Sequence, residues 1–352
     1  MSRLLLAWTA VAMLGICAAA QAQPRTGQID ALLSRYAGDG PGASLLVVKD
    51  GKAVIRRGYG YANLEEHVKT TPATNYRLAS VTKQFTAASI LLLQQDGKLR
   101  LTDPIRKWLP ELPPSDAAVT IGNLLDHTGG LVDYEDLIPA DTKEQIDDAD
   151  VLRLIAGQQR LYFAPGSAHR YSNGGYVLLG LIVERASGMD LADFMRQRIF
   201  VPLGMQHTLL YEHHRGPQVD DRAYGYSRVD GKWLRTDQSV TSATRGDGGV
   251  YTSIDDMQKW DAALGDDRLL SAASRQAAFS AHEPLDDPDF SYGYGWRIGG
   301  DGSLWHSGET MGFRNVIVRW PQQHLTVVIL SNRNHGRPYP LAVTIGQLYL
   351  AQ

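Results

Sequence analysis

The sequence predicts an α+β protein, an α/β sandwich. One antiparallel sheet is built from both chain ends and flanked by helices, and a mainly helical lobe is inserted between its two halves. Three observations carry this. Residues 43–59 read as two strands joined at Asp50-Gly51, and Asp-Gly between β-rich runs is a strong hairpin signal. Strand patterns return near the C-terminus at 292–298, 303–306, 313–320 and 325–330, broken by Gly299-Gly300-Asp301-Gly302 and by Pro321. Between the two strand regions the apolar spacing is helical.

In chain order, Arg3, an apolar run over 4–20 and the small-x-small site Ala20-Gln21-Ala22 predict a secretory signal peptide at 1–22. The expected compartment is periplasmic or extracellular. Cys17, the one cysteine, falls inside that signal, so the remaining chain has no thiol for a disulfide, for catalysis or for a metal. Residues 23–352 exceed what one compact core usually supports, so two lobes are expected. They are a sheet lobe (about 23–79 and 205–352) and a helical lobe (about 80–204). The run 80–95 has helical composition and stops at Asp96-Gly97. Helices are also expected over 148–158, 175–186 (stopped by Ser187-Gly188), 190–200 and 341–350. The stretch 209–246 is polar and turn-rich and receives no element. The net charge of −3 gives no case for nucleic acid, and no run after the signal is long enough to span a bilayer.

Three motifs carry chemistry. Ser80-Val81-Thr82-Lys83 places a hydroxyl at a helix start with a lysine three residues on, on the same face. A serine hydroxyl attacks only when its proton is taken, and a desolvated lysine can help take it. Tyr171-Ser172-Asn173 lies in a loop before a helix. A tyrosine beside a cation can act as a base, and Asn173 can hold the lysine and a substrate carbonyl. Tyr61-Ala62-Asn63 has the same form, and pattern alone does not separate the two. His306-Ser307-Gly308-Glu309 ends a strand, where Gly308 allows a substrate backbone to approach.

In this order the motifs resemble the class C β-lactamase and penicillin-binding-protein family of serine hydrolases. The resemblance extends through Gly58-Tyr59-Gly60-Tyr61, Leu124-Leu125-Asp126-His127-Thr128-Gly129-Gly130-Leu131, Pro202-Leu203-Gly204-Met205 and Gly248-Gly249-Val250-Tyr251. It implies the β-lactamase/transpeptidase-like fold and a nucleophile Ser80 whose proton passes through Lys83 and Tyr171. It implies Tyr171 rather than Tyr61, because the family's Tyr-x-Asn follows the nucleophile. The backbone N–H groups of Ser80 and Glu309 would form the oxyanion hole. Asn173, His306, Ser307 and Gly308 would bind substrate. Family β-lactamases usually carry lysine where this chain has His306. A partly charged histidine holds a carboxylate less firmly, so peptidase or esterase activity is expected ahead of β-lactam hydrolysis. Arg314 is the candidate for the missing positive charge.

The expected substrate is a small molecule or peptide with an amide or ester, and no metal or organic cofactor is implied. The alternative is a silent binding or regulatory module of the same family. Other constellations fail. There is no Gly-x-Ser-x-Gly elbow and no His-Glu-x-x-His. His213-His214 are adjacent, an awkward spacing for one metal. Asp126-His127-Thr128 is expected to be structural rather than part of a triad.

Overall fold

The computed structural model describes residues 25–212, 218–284 and 290–351. The expected signal peptide and the pair His213-His214 lie outside these residues. The sheet has eight antiparallel strands. Their spatial order is Glu283–Pro284, Phe290–Tyr292, Arg297–Gly299, Leu304–Thr310, Phe313–Trp320, Leu325–Ser331, Ala43–Lys49 and Lys52–Tyr59. The first and last parts of the chain thus meet at the pairing of Ala43–Lys49 with Leu325–Ser331.

Alternation along the central strands explains why the sheet is covered on both faces. Leu45, Val47, Val316, Val318, Val327 and Ile329 point to one core, beneath the closing helix Pro338–Leu350 and the helix over 25–33. Leu46, Val48, Ile317, Val328 and Leu330 point to the other, shared with the helices of the middle segment. The edge strand Lys52–Tyr59 is largely exposed and carries Lys52, Arg56 and Arg57, charges that discourage edge-to-edge pairing. The hairpin at 43–59 turns where expected, with Asp50 at φ 52° and Gly51 at φ 74°.

Helices Lys83–Gln95 and Asn173–Ser187 are almost wholly buried on their apolar residues and pack side by side behind the site. The second ends on Gly188 at φ 74°, a left-handed stop. The segment expected as one helix over 190–200 is Leu191–Met195 continued by a π turn over Arg196–Phe200. Two expectations differ further. The run 292–298 is two short strands, because Gly293 and Gly295 turn the chain against other backbone. A Cβ on Gly295 would lie 2.8 Å from the Lys83 carbonyl oxygen. The unassigned stretch 209–246 contains a hairpin, Tyr226–Val229 with Lys232–Arg235, turning at Asp230 and Gly231, both at positive φ. Among the described residues no helix is long and apolar enough to cross a membrane.

Candidate active site

Ser80 does not sit in the α-helix itself. It lies in a 3₁₀ turn, Ala79–Thr82, that feeds helix Lys83–Gln95. With three residues per turn, positions i and i+3 eclipse, which brings the Lys83 side chain over Ser80. The chain enters this turn through Ala79 at φ 51°, a left-handed conformation that L-residues adopt at a cost of roughly 1–2 kcal/mol. Its surroundings enforce it. Strand Leu304–Thr310 presses so close that a Cβ on Gly308 would stand 1.9 Å from the Leu78 carbonyl oxygen and 3.2 Å from the Ser80 nitrogen. Asn315 Nδ2 donates to the Arg77 carbonyl at 2.8 Å from the adjacent strand.

Lys83 is fully buried. Its Nζ donates to Asn173 Oδ1 at 2.7 Å and to the Asp247 carbonyl oxygen at 3.0 Å, and it lies 3.3 Å from Ser80 Oγ. The first two partners only accept. The hydroxyl alone can both give and take a hydrogen, so the Ser80 direction is the one in which a proton can move. The rings of Tyr171 and Tyr176 lie 4.9 and 5.4 Å from Nζ. Tyr61 stands elsewhere, with Lys69 Nζ 3.7 Å from its ring.

Tyr171 is held through its neighbours. The Arg170 N–H donates to the His127 carbonyl oxygen at 3.0 Å, and the Ser172 N–H donates to His127 Nδ1 at 3.2 Å. His127, itself at φ 62°, packs its ring 4.4 Å from that of Tyr171. Because Nδ1 accepts, the ring proton is on Nε2, which is buried without a partner. Burial, reinforced by the Lys83 charge, holds the His127 pKa well below the usual histidine value, so the ring is neutral. The Asp126 carboxylate accepts from the Thr128 hydroxyl and N–H.

The opposite wall is the sheet, where strand Leu304–Thr310 runs on past its short partner Arg297–Gly299. His306 is 1% exposed. Its Nδ1 lies 2.6 Å from the Ser307 carbonyl oxygen, which can only accept, so Nδ1 donates there and Nε2 accepts from the Tyr292 hydroxyl at 2.9 Å. Burial first, then Arg297 and Lys83, lower its pKa well below 6.5. This corrects the expectation of a partly charged histidine gripping a carboxylate: the ring is neutral and both nitrogens are occupied. Arg314 is corrected too. Its Nε pairs with Glu309 at 3.2 Å and its Nη1 donates to the carbonyls of Thr310 and Phe313, each at 2.8 Å, so it braces its own turn.

The structure thus brings Ser80, Lys83, Tyr171 and Asn173 together, with Gly308 and His306 across from them. Three further residues were missed. Arg297 lies 5.9 Å from the Tyr171 ring, 6.0 Å from Tyr292 and 5.2 Å from Trp305. Its buried Nε has no partner, and it forms no ion pair among the described residues. Tyr292 is fully buried, and burial pushes its pKa up, so it remains a donor to His306. Asp247, beside Lys83, has its pKa raised by burial and opposed by the Lys83 charge. Its loop is fixed by Arg245, which pairs with Asp148, Glu184 and Asp190 at 2.7–2.8 Å. The Gly246-Asp247-Gly248-Gly249 run was the available signal for Asp247; Arg297 had none beyond its place before the His306 strand.

The sequence model of the Beta-lactamase family matches residues 29–349. The chain belongs to that family. Among its relatives is Penicillin-binding protein 4* of Bacillus subtilis (strain 168), 32% identical over 317 residues, covering 85% of this chain and 70% of the relative. Protein flp of Staphylococcus aureus (strain MW2) is 30% identical over 319 residues, and this chain spans 63% of it. Of solved structures, the penicillin-binding protein from Bacillus halodurans superposes with a TM-score of 0.80 at 29% identity, over 91% of this chain and 98% of that one. The D-amino acid amidase from Ochrobactrum anthropi SV3, complexed with L-phenylalanine amide, gives 0.79 at 26% identity, over 93% and 98%. Family membership supports serine-hydrolase chemistry in general.

Proposed function

We propose that this family member hydrolyses an amide or ester through an acyl-enzyme on Ser80. The observation that carries the reading is the Lys83 amine, buried, anchored on two acceptors and facing the Ser80 hydroxyl. In this reading Ser80 Oγ attacks the acyl carbonyl carbon while its proton passes into the Lys83–Tyr171 pair. The oxyanion forms against the N–H groups of Ser80 and Glu309, beside which Gly308 keeps the strand close. Each such donor contributes about 3 kcal/mol in hydrolases of this kind. The pair returns the proton to the leaving group, and water then cleaves the acyl-enzyme.

Arg297 replaces both His306 and Arg314 as the cation offered to an acidic substrate, because it alone of the three is without hydrogen-bonded or ionic neutralisation among the described residues. A peptide or small amide or ester with a carboxylate near the scissile bond fits this arrangement. Export is part of the proposal and rests on the apolar N-terminal run and its small-x-small site, as is the division into a sheet lobe and a helical lobe near residues 79 and 205.

An activated phosphonate should add once to the intact protein, and the adduct should map to Ser80. A p-nitrophenyl ester, a cephalosporin and a D-Ala-D-Ala peptide then rank the substrate classes. A protein that leaves the phosphonate untouched is the silent module instead.

A further inference from the structure

Away from the Ser80 cluster lies a cavity of about 510 Å³ lined by Arg35, Arg228, Trp233, Arg333 and His335 among others, with no carboxylate in its wall. It sits where the loop after strand Leu325–Ser331 meets the hairpin at 226–235 and the turn following Ser34–Tyr36. Arg333 is 5% exposed. Its guanidinium stacks 3.7 Å from the Tyr36 ring centre, and its Nη1 donates to the Arg35 carbonyl at 2.8 Å. Its Nε is buried without a partner. Trp233 lies 5.9 Å from the guanidinium carbons of both Arg228 and Arg333.

None of these three arginines makes an ion pair among the described residues. The chain carries a net charge of −3, so cations are not in surplus, and among the described residues most other arginines are in ion pairs. Burial lowers the Arg333 pKa, and repulsion from Arg35 and Arg228 adds to that effect. Arg333 is the buried member of the group, and holding its charge beside two other cations without a counter-ion is costly, a cost that a bound anion lowers. Guanidinium forks match oxyanions bidentately. Three of them exceed what one carboxylate can accept and suit a doubly charged phosphate. The cavity is also larger than a phosphate, and its volume is that of small-molecule sites. Trp233 offers the flat face on which a planar ring can lie.

We propose that this cavity binds a small phosphorylated molecule, its phosphate held by Arg35, Arg228 and Arg333 and its ring against Trp233. The proposal is independent of the hydrolytic reading, since none of these residues touches the Ser80 cluster.

Calorimetry on the full chain, with its serine blocked by phosphonate, tests it. Pyrophosphate and AMP should each bind at one site, and adenosine should not. Arg35→Gln with Arg228→Gln, both exposed positions, should weaken both probes about tenfold or more while ester turnover in the unblocked protein is unchanged. Trp233→Ala should weaken AMP and spare pyrophosphate. No saturable binding of either probe, or equal binding by the double variant, would overturn the site. Succinate binding as tightly as pyrophosphate would overturn the phosphate assignment.

Discussion

On the helical wall of the candidate site, Lys83 is wholly buried and has three partners within hydrogen-bond reach. On the sheet wall, Arg297 is surrounded by aromatic rings and has no ion pair among the described residues. The two buried histidines divide the same way. His127 spends its hydrogen-bonding on the backbone flanking Tyr171, whereas His306 is stitched to Tyr292 and to its own strand. A buried group whose partners are fixed can move a proton only where one partner remains ambivalent, and on the helical wall that partner is Ser80. A cation left unneutralised is instead available to a ligand. In the proposed mechanism the helical wall supplies the nucleophile and moves its proton, while the sheet wall supplies an oxyanion donor and the recognition cation.

The sharpest way to break this division is at the contact between the walls. Gly308→Ala puts a methyl 1.9 Å from the Leu78 carbonyl oxygen. The strand must retreat from Ser80 and take the proposed oxyanion donor with it. We expect kcat to fall on the order of 10²–10³-fold, with a smaller loss of stability, roughly 1–3 kcal/mol. Turnover and melting measured together separate the two. An active Gly308→Ala would remove the strand from the mechanism.

His127→Phe keeps a ring against Tyr171 but removes the Nδ1 that accepts from Ser172. An unsatisfied N–H costs about 1–3 kcal/mol, and we expect it as a drop in kcat of about tenfold with KM little changed. A change in KM alone would place His127 in substrate binding.

Arg297→Gln and Arg314→Gln test the sheet wall. The first should raise KM for an acidic substrate several-fold, on the scale of one charged contact of about 1–2 kcal/mol, and leave a matched neutral ester alone. The second should do little to either. The reverse pattern, measured with the same substrate pair, would restore Arg314 as the recognition cation.

The smallest effect is on stability against pH. Native His306 binds its proton less readily than the unfolded chain, whose histidine titrates near 6.5. Its contribution is complete above that value and is lost as pH falls below it, by up to about 1.4 kcal/mol per pH unit. His127 acts with the same sign. Asp148, raised by burial to about 6, acts oppositely, stabilising in acid and losing that contribution as pH rises through about 6. Comparing urea midpoints of wild type and His306→Gln between pH 5 and 7 isolates the histidine. Parallel curves would mean that the ring titrates normally.

These contrasts also mark what was legible in the sequence. Both strand regions, the helix behind Lys83 and the Gly188 stop follow from alternation, helical spacing and turn residues, which are local. Asp50-Gly51 was read as a hairpin because apolar residues flank it. Asp230-Gly231 turns its chain in the same way, yet its flanking runs of four residues are short, mix charged with apolar residues and lie largely exposed, so the signal was lost. Ser80 and Lys83 are legible because three residues separate them. His306 was located but given the wrong charge, since burial and Tyr292 act through space and leave no mark on spacing. Arg297 and Asp247 reach the site through sheet pairing and through the Arg245 ion pairs, neither of which local pattern encodes.

The central claim is that Lys83 and Tyr171 move one proton together from the helical wall. The kcat/KM of Lys83→Ala, Tyr171→Phe and the double variant, each checked for folding, tests it on a single neutral ester. Residues acting as a unit are strongly non-additive, so the account predicts that each single change removes most activity and that the double variant lies within about threefold of the worse single. A double variant whose loss is the product of the two single losses would show the residues acting independently and would contradict it.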